Sequence, residues 1–88
     1  MYIEGFIWEE WVLDKLDWKH GVEPEEVEEA FFNPPYKVRR TKKKKYLLYG
    51  RSESGRYLFI VFVWVGHFVK VLSARDMTKS ERRHLRRK

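Results

Sequence analysis

Residues 57–65, Tyr-Leu-Phe-Ile-Val-Phe-Val-Trp-Val, constrain the fold more than any other part of the chain. The run is built from aromatic and β-branched residues, which suit a pleated surface, and it is far too short to cross a bilayer as a helix. Extended, its side chains alternate: Tyr57, Phe59, Val61, Val63 and Val65 point one way, and Leu58, Ile60, Phe62 and Trp64 the other. Both faces are apolar, so both need cover. In a chain of 88 residues this leaves room for one domain organised around a central strand.

The flanking residues supply the rest of a sheet. Residues 36–40 pair with 46–51 around a tip holding Thr41, Lys42, Lys43, Lys44 and Lys45. A Ser-Glu-Ser-Gly turn at 52–55 leads into a strand over 56–65, and Gly66-His67 has the length and composition of a two-residue hairpin turn into 68–73.

Upstream, Trp8, Trp11, Val12 and Leu16 recur at helical spacing, which predicts an amphipathic helix over 9–19 with Asp14 and Asp17 outward. His20-Gly21 closes it, glycine supplying the left-handed residue after the last turn. A second helix starts at Pro24, with Val22 and Val27 stapled around its first turn. It turns Val27, Ala30 and Phe31 inward and ends at Asn33-Pro34-Pro35. Residues 2–7 can add a short edge strand, although Gly5 weakens it.

The expected fold is α+β: two N-terminal helices on a four-stranded antiparallel sheet, optionally with the extra edge strand, and a C-terminal helix. The N-terminal helices can cover one sheet face. The terminal helix offers only Met77 and Leu85 for the other. A face carrying Leu58, Ile60, Phe62 and Trp64 is therefore expected to meet a partner protein or a second copy in a homodimer. The competing expectation buries the strand wholly within the monomer.

Charge divides the chain in two. Residues 1–33 hold ten of the thirteen acidic residues with only Lys15 and Lys19, whereas residues 34–88 hold the other seventeen Lys and Arg with Glu53, Asp76 and Glu81. So basic a half attracts phosphate backbones through counterion release. Arg39, Arg40 and Lys42 to Lys45, with Arg51, Arg56 and Arg83, are the expected phosphate-contacting cations, for RNA or another nucleic acid. They would steer the strand rather than specify its sequence.

The densest basic segment is the tail after residue 73. Thr78 and Glu81 form a capping box that opens a helix carrying Arg82, Arg83, Arg86, Arg87 and Lys88, with cations toward the end that the helix dipole favours. A solvated, well-capped helix is the plain reading. Arg75 stands apart from it at the end of a strand.

Other chemistries find little support. There is no cysteine, which removes disulfides and fits a reducing cytoplasm. No signal-peptide pattern opens the chain, and no membrane partner is expected. His20, His67 and His84 are too scattered for a shared metal site, and no glycine-rich phosphate loop follows a strand. No cofactor or metal is expected. Metal-free cleavage of RNA through its own 2′-hydroxyl stays open; it needs a base, cations for the phosphorane and an acid for the leaving oxygen. Arg75, Arg82, Arg83, Arg51 and Arg56 could supply the cations, and His84 or His67 could move protons.

Several short signatures occur in order: Trp8-Glu9, His20-Gly21-Val22, Phe31-Phe32-Asn33-Pro34, Gly50-Arg51, Gly55-Arg56, then Ser73-Ala74-Arg75-Asp76-Met77-Thr78 and Glu81-Arg82-Arg83. In that order and spacing the chain resembles the BrnT toxins of bacterial type II toxin–antitoxin systems. The resemblance implies a RelE-like fold and a metal-independent endoribonuclease that arrests translation. It also implies a DNA-binding antitoxin, of ribbon-helix-helix type, that inhibits the toxin and carries it to their shared promoter DNA. Arg75, Arg82 and His84 are then the expected catalytic residues. Val12 and Leu16 stand where the family pattern has Lys and Asn, and Leu85 where it has Tyr. A non-catalytic nucleic-acid-binding module on the same basic surface is the alternative from another class, and a purely structural interaction protein a third.

Overall fold

The apolar run folds as the central strand of a five-stranded sheet. The computed structural model describes residues 1–86; Arg87 and Lys88, which the sequence reading adds to the terminal basic helix, lie outside the described residues. In chain order the elements are β1 (Gly5–Ile7), α1 (Glu10–Lys15), a π-helical turn (Leu16–His20), α2 (Pro24–Phe32), β2 (Lys37–Arg40), β3 (Tyr46–Arg51), β4 (Tyr57–Val65), β5 (Phe68–Asp76) and α3 (Lys79–Arg86). The strand order is β1-β5-β4-β3-β2, and β2 to β5 form the expected antiparallel meander.

The edge strand is present but shorter than residues 2–7, and it pairs parallel to β5. The sheet is therefore mixed. Gly5 helps this pairing: it lies opposite Phe68, whose ring would stand 2.9 Å from a Cβ added there. β5 also runs on past Ser73 to Asp76, so Arg75 lies within a paired strand, opposite Phe59. A register shift between Val61 and Phe62 leaves Leu72 without a partner on β4.

The first helix is broken in character. α1 is regular only to Lys15, and the next residues widen into the π-turn before Gly21 reverses the chain at φ +59°. Val12 and Leu16, spaced i and i+4, are fully buried. Trp11 is 54% exposed and Trp8 precedes the helix, its indole N–H donating to Glu28 at 2.8 Å. The inward stripe is thus narrower than the spacing predicted. α2 is as expected, with Pro24 in its first turn, a Glu23–Glu26 capping box, and Val27, Ala30 and Phe31 buried. Gly50 lets it approach β3, since a Cβ there would lie 3.2 Å from the Ala30 carbonyl oxygen.

These helices cover the even-numbered face of β4. Leu58, Ile60 and Phe62 are fully buried in a core with Val12, Leu16, Val27, Phe31, Leu48, Val69 and Val71, and Trp64 packs against its margin. Phe31 meets Phe62 edge-on at 5.0 Å. The expectation that Leu58, Ile60, Phe62 and Trp64 form a partner-binding face is therefore corrected: α1, the π-turn and α2 cover that face from within the monomer. The opposite face is only partly covered. Met77 and Leu85 pack there with Tyr49, Leu47, Tyr57 and Phe59 in a second, smaller cluster. Further along β4, Val61 and Val63 are half-buried and Val65 is exposed. No helix among the described residues is long and apolar enough to cross a membrane.

Candidate functional site

α3 crosses the open face of the sheet and is pinned at both ends. At its start, the Thr78 N–H donates to Glu81 at 2.9 Å and the Glu81 N–H to the Thr78 hydroxyl at 3.2 Å, completing the predicted capping box. Arg75 of β5 grips the same carboxylate with two bonds, at 2.8 and 2.9 Å. Near the other end, Lys37 of β2 donates to the His84 carbonyl. The helix is thus held from β5 at one end and β2 at the other, with Leu85 buried beneath it.

Arg75 is shared between structure and solvent. Its guanidinium lies 4.4 Å over the Phe59 ring and also donates to the Asp76 carbonyl at 3.0 Å. The bond from Arg75 holds the Glu81 carboxyl below its ordinary value, and Glu81 in turn keeps Arg75 more firmly protonated. The side chain stays 37% exposed.

Arg56 is the clearest departure from the expected RNA contacts. It reaches Asp76 at 2.7 and 3.1 Å, Glu26 at 3.1 Å, and the carbonyls of Gly21 and His20 at 2.8 and 3.1 Å. These bonds use every N–H donor of the side chain. Its charge is compensated on both sides, by Glu26 and by Asp76, whose carboxyl it holds low. Arg56, just before β4, is a clamp joining the start of that strand to α2, β5 and the end of the π-turn, and as a phosphate ligand it is corrected.

The expected trio of Arg75, Arg82 and His84 does not converge. Helical positions two apart point about 200° apart, and the contacts follow that geometry. Arg82 lies over the Tyr57 ring at 4.8 Å, whereas the His84 ring meets Tyr49 edge-on at 5.0 Å. Tyr49 in turn meets Phe59 edge-on at 5.2 Å, under Arg75. Arg75 and His84 are therefore linked through one aromatic row, with Arg82 on the other side of α3.

That other side is the better-formed site. A concavity of about 160 Å³ is lined by Pro35, Arg51, Tyr57, Leu85 and Arg86. Arg51 is paired directly opposite Tyr57 in the β3–β4 register, its guanidinium 5.8 Å from the ring. Arg82 and Arg86, one helical turn apart, approach the same ring at 4.8 and 5.7 Å. Among the described residues, none of these three arginines is in an ion pair with a carboxylate. Arg51 and Arg86 line the opening and Arg82 lies beside it over the Tyr57 ring, its charge also felt by Asp76; cations gathered in this way attract a phosphate.

The remaining cations lie outside this opening. Lys42 to Lys45 form the exposed tip between β2 and β3, tied by Thr41 N–H to the Lys45 carbonyl at 2.8 Å, with Lys44 at φ +62°. Arg39 and Arg40 are exposed on the edge strand β2, and Arg83 is exposed on α3. Charges on an edge strand also discourage edge-to-edge pairing. His67 sits at the β4–β5 turn against Tyr2, far in sequence and fold from α3. No group of three or more His, Asp or Glu among the described residues is arranged to hold a metal ion. Sequence reasoning missed Tyr57 because its alternation within an apolar strand reads as packing; the signal available was the arginine at 51, across the turn from it.

The comparisons agree with this architecture. The family described as "Ribonuclease toxin, BrnT, of type II toxin-antitoxin system" matches residues 8–81. The crystal structure of the Brucella abortus ribonuclease toxin BrnT superposes with a TM-score of 0.71 at 23% identity, over 85% of this chain and 97% of that one. At that identity the likeness shows the fold. No curated protein matches the chain. With the family match running from Trp8 to Glu81, the chain belongs to the BrnT family of ribonuclease toxins of type II toxin–antitoxin systems.

Proposed function

We propose that this protein is a metal-independent endoribonuclease that inhibits translation by cutting RNA. Its activity would be restrained by an antitoxin protein of the ribbon-helix-helix type, whose complex with the toxin binds their promoter DNA. The observation that carries the catalytic reading is that Arg51 and Arg86 line one concavity and Arg82 joins them around the Tyr57 ring, none of the three in a salt bridge among the described residues. Cations placed there neutralise a bound phosphodiester and the extra charge of its pentacoordinate form, which is the demand that RNA transesterification makes.

Outside the opening, Arg39, Arg40, Lys42 to Lys45 and Arg83 would draw in the flanking phosphates without reading bases. Arg75 holds α3 in register through Glu81, and its exposed edge faces the same RNA. His84, set against Tyr49, serves that second side of the helix.

Incubation of purified protein with total RNA in the presence of EDTA tests this reading. Discrete cleavage products and growth arrest on induced expression are expected. Binding without products would instead favour a non-catalytic nucleic-acid-binding module on the same surface.

A further inference from the structure

A cluster of cations binds phosphate but cannot remove a proton. Of the residues lining the concavity, Tyr57 alone carries a group that can. Its ring is half-buried under α3 in the Tyr49–Met77–Leu85 cluster, which fixes its direction. Backbone pairing reinforces this, because the Met77 N–H donates to the Tyr57 carbonyl at 3.1 Å, locking the strand beneath the helix.

The surroundings favour the phenolate. The neighbouring Arg86 guanidinium is the largest influence, followed by that of Arg51, and together they outweigh desolvation and hold the Tyr57 phenol below its ordinary value of 10.0. His84, the other expected proton carrier, faces Tyr49 across the helix.

We infer that Tyr57 is the general base of this ribonuclease, poised within the arginine cluster that holds the scissile phosphate. The inference rests on the ribonuclease reading above. In the reaction, the Tyr57 phenolate takes the proton of the 2′-hydroxyl and the freed oxygen attacks phosphorus. The P–O2′ bond forms as the P–O5′ bond breaks, giving a 2′,3′-cyclic phosphate and a 5′-hydroxyl end. The leaving 5′-oxygen takes a proton from water, and Tyr57 returns its own to solvent, so no further reactant is consumed. Arg51, Arg82 and Arg86 stabilise the phosphorane, and Arg86 and Arg51 ease ionisation of the base.

The test is single-turnover cleavage of a short RNA by Tyr57→Phe across a pH series, with affinity measured on a 2′-deoxy analogue that cannot react. The variant keeps the ring and its packing, so native unfolding temperature and analogue affinity are expected. Cleavage should fall by about a hundredfold to ten-thousandfold. The wild-type rate should rise with pH to a plateau whose midpoint lies below 10.0, and this limb should vanish in Tyr57→Phe. Arg86→Gln keeps the phenol and should move the midpoint upward. Wild-type cleavage by Tyr57→Phe, or a midpoint unmoved in Arg86→Gln, would overturn the assignment while leaving the ribonuclease reading intact. Failure of the wild-type protein to cleave any RNA would remove both.

Discussion

The two faces of β4 are almost equally apolar in sequence, yet they have opposite fates. Leu58, Ile60 and Phe62 vanish beneath α1, the π-turn and α2, whereas Tyr57, Phe59, Val61 and Val63 lie under a single short helix or under none. The closed face makes the stability, and the open face is the one on which the proposed chemistry lies. A half-covered apolar face is costly unless something uses it. Here α3 uses it as a platform, laying Arg82 and Arg86 over Tyr57 and His84 over Tyr49.

The largest effect that could break this contrast is on stability. Phe62→Ala should cost about 3–5 kcal/mol, because Phe62 is fully buried and meets Phe31, Tyr46 and Trp64. Val63→Ala on the open face should cost about 1 kcal/mol or less. Urea denaturation of the two variants measures the difference, and equal losses would mean that the faces are not distinct.

A second contrast lies among the arginines. Arg56→Ala should destabilise by about 1–2 kcal/mol, a value kept low because its partner Asp76 is 59% exposed. Arg82→Ala, with no ion pair among the described residues, should stay within about 0.5 kcal/mol of wild type. Thermal unfolding of each checks this. Below these comes the helix cap: Thr78→Ala should cost about 1 kcal/mol and loosen α3 without disturbing the core, visible as faster amide exchange confined to 79–86.

The smallest effect is that of acid. Glu81 and Asp76 are both held below their ordinary values of 4.5 and 3.8, by Arg75 and Arg56 respectively. A depressed folded-state pKa contributes stability that is complete above the unfolded value and is lost as pH falls through the folded one. Stability should therefore be flat near neutrality with respect to these groups and decline as pH drops below 4.5. In Arg75→Ala that acid-dependent loss should shrink; an unchanged acid limb in denaturation curves would argue against the Arg75–Glu81 pairing.

Much of this architecture was legible before any coordinates. The meander and α2 carry local signals that tertiary packing did not override: turn residues at Ser52 to Gly55 and at Gly66, Pro24 at a helix start, and the run of aromatic and β-branched residues through β4. The parallel edge strand was less so, because Gly5 reads locally as a weakness and becomes useful only when Phe68 lies beside it. The roles of the arginines were least legible. Arg56 and Arg51 look alike in sequence, both following a glycine near a strand end. Only the fold shows that one meets Asp76 and Glu26 while the other faces Tyr57. Likewise, Arg82 and His84 are near neighbours in the chain yet lie on opposite sides of α3.

On the proposed reading the arginines gathered around Tyr57, and not the clamped Arg56, make the RNA-cleaving site. The direct measurement is the RNA cleavage rate of Arg82→Ala beside that of Arg56→Ala, both at a temperature where each is fully folded. A loss of about a hundredfold or more is expected for Arg82→Ala, with a rate near wild type for Arg56→Ala. The reverse order would contradict that reading.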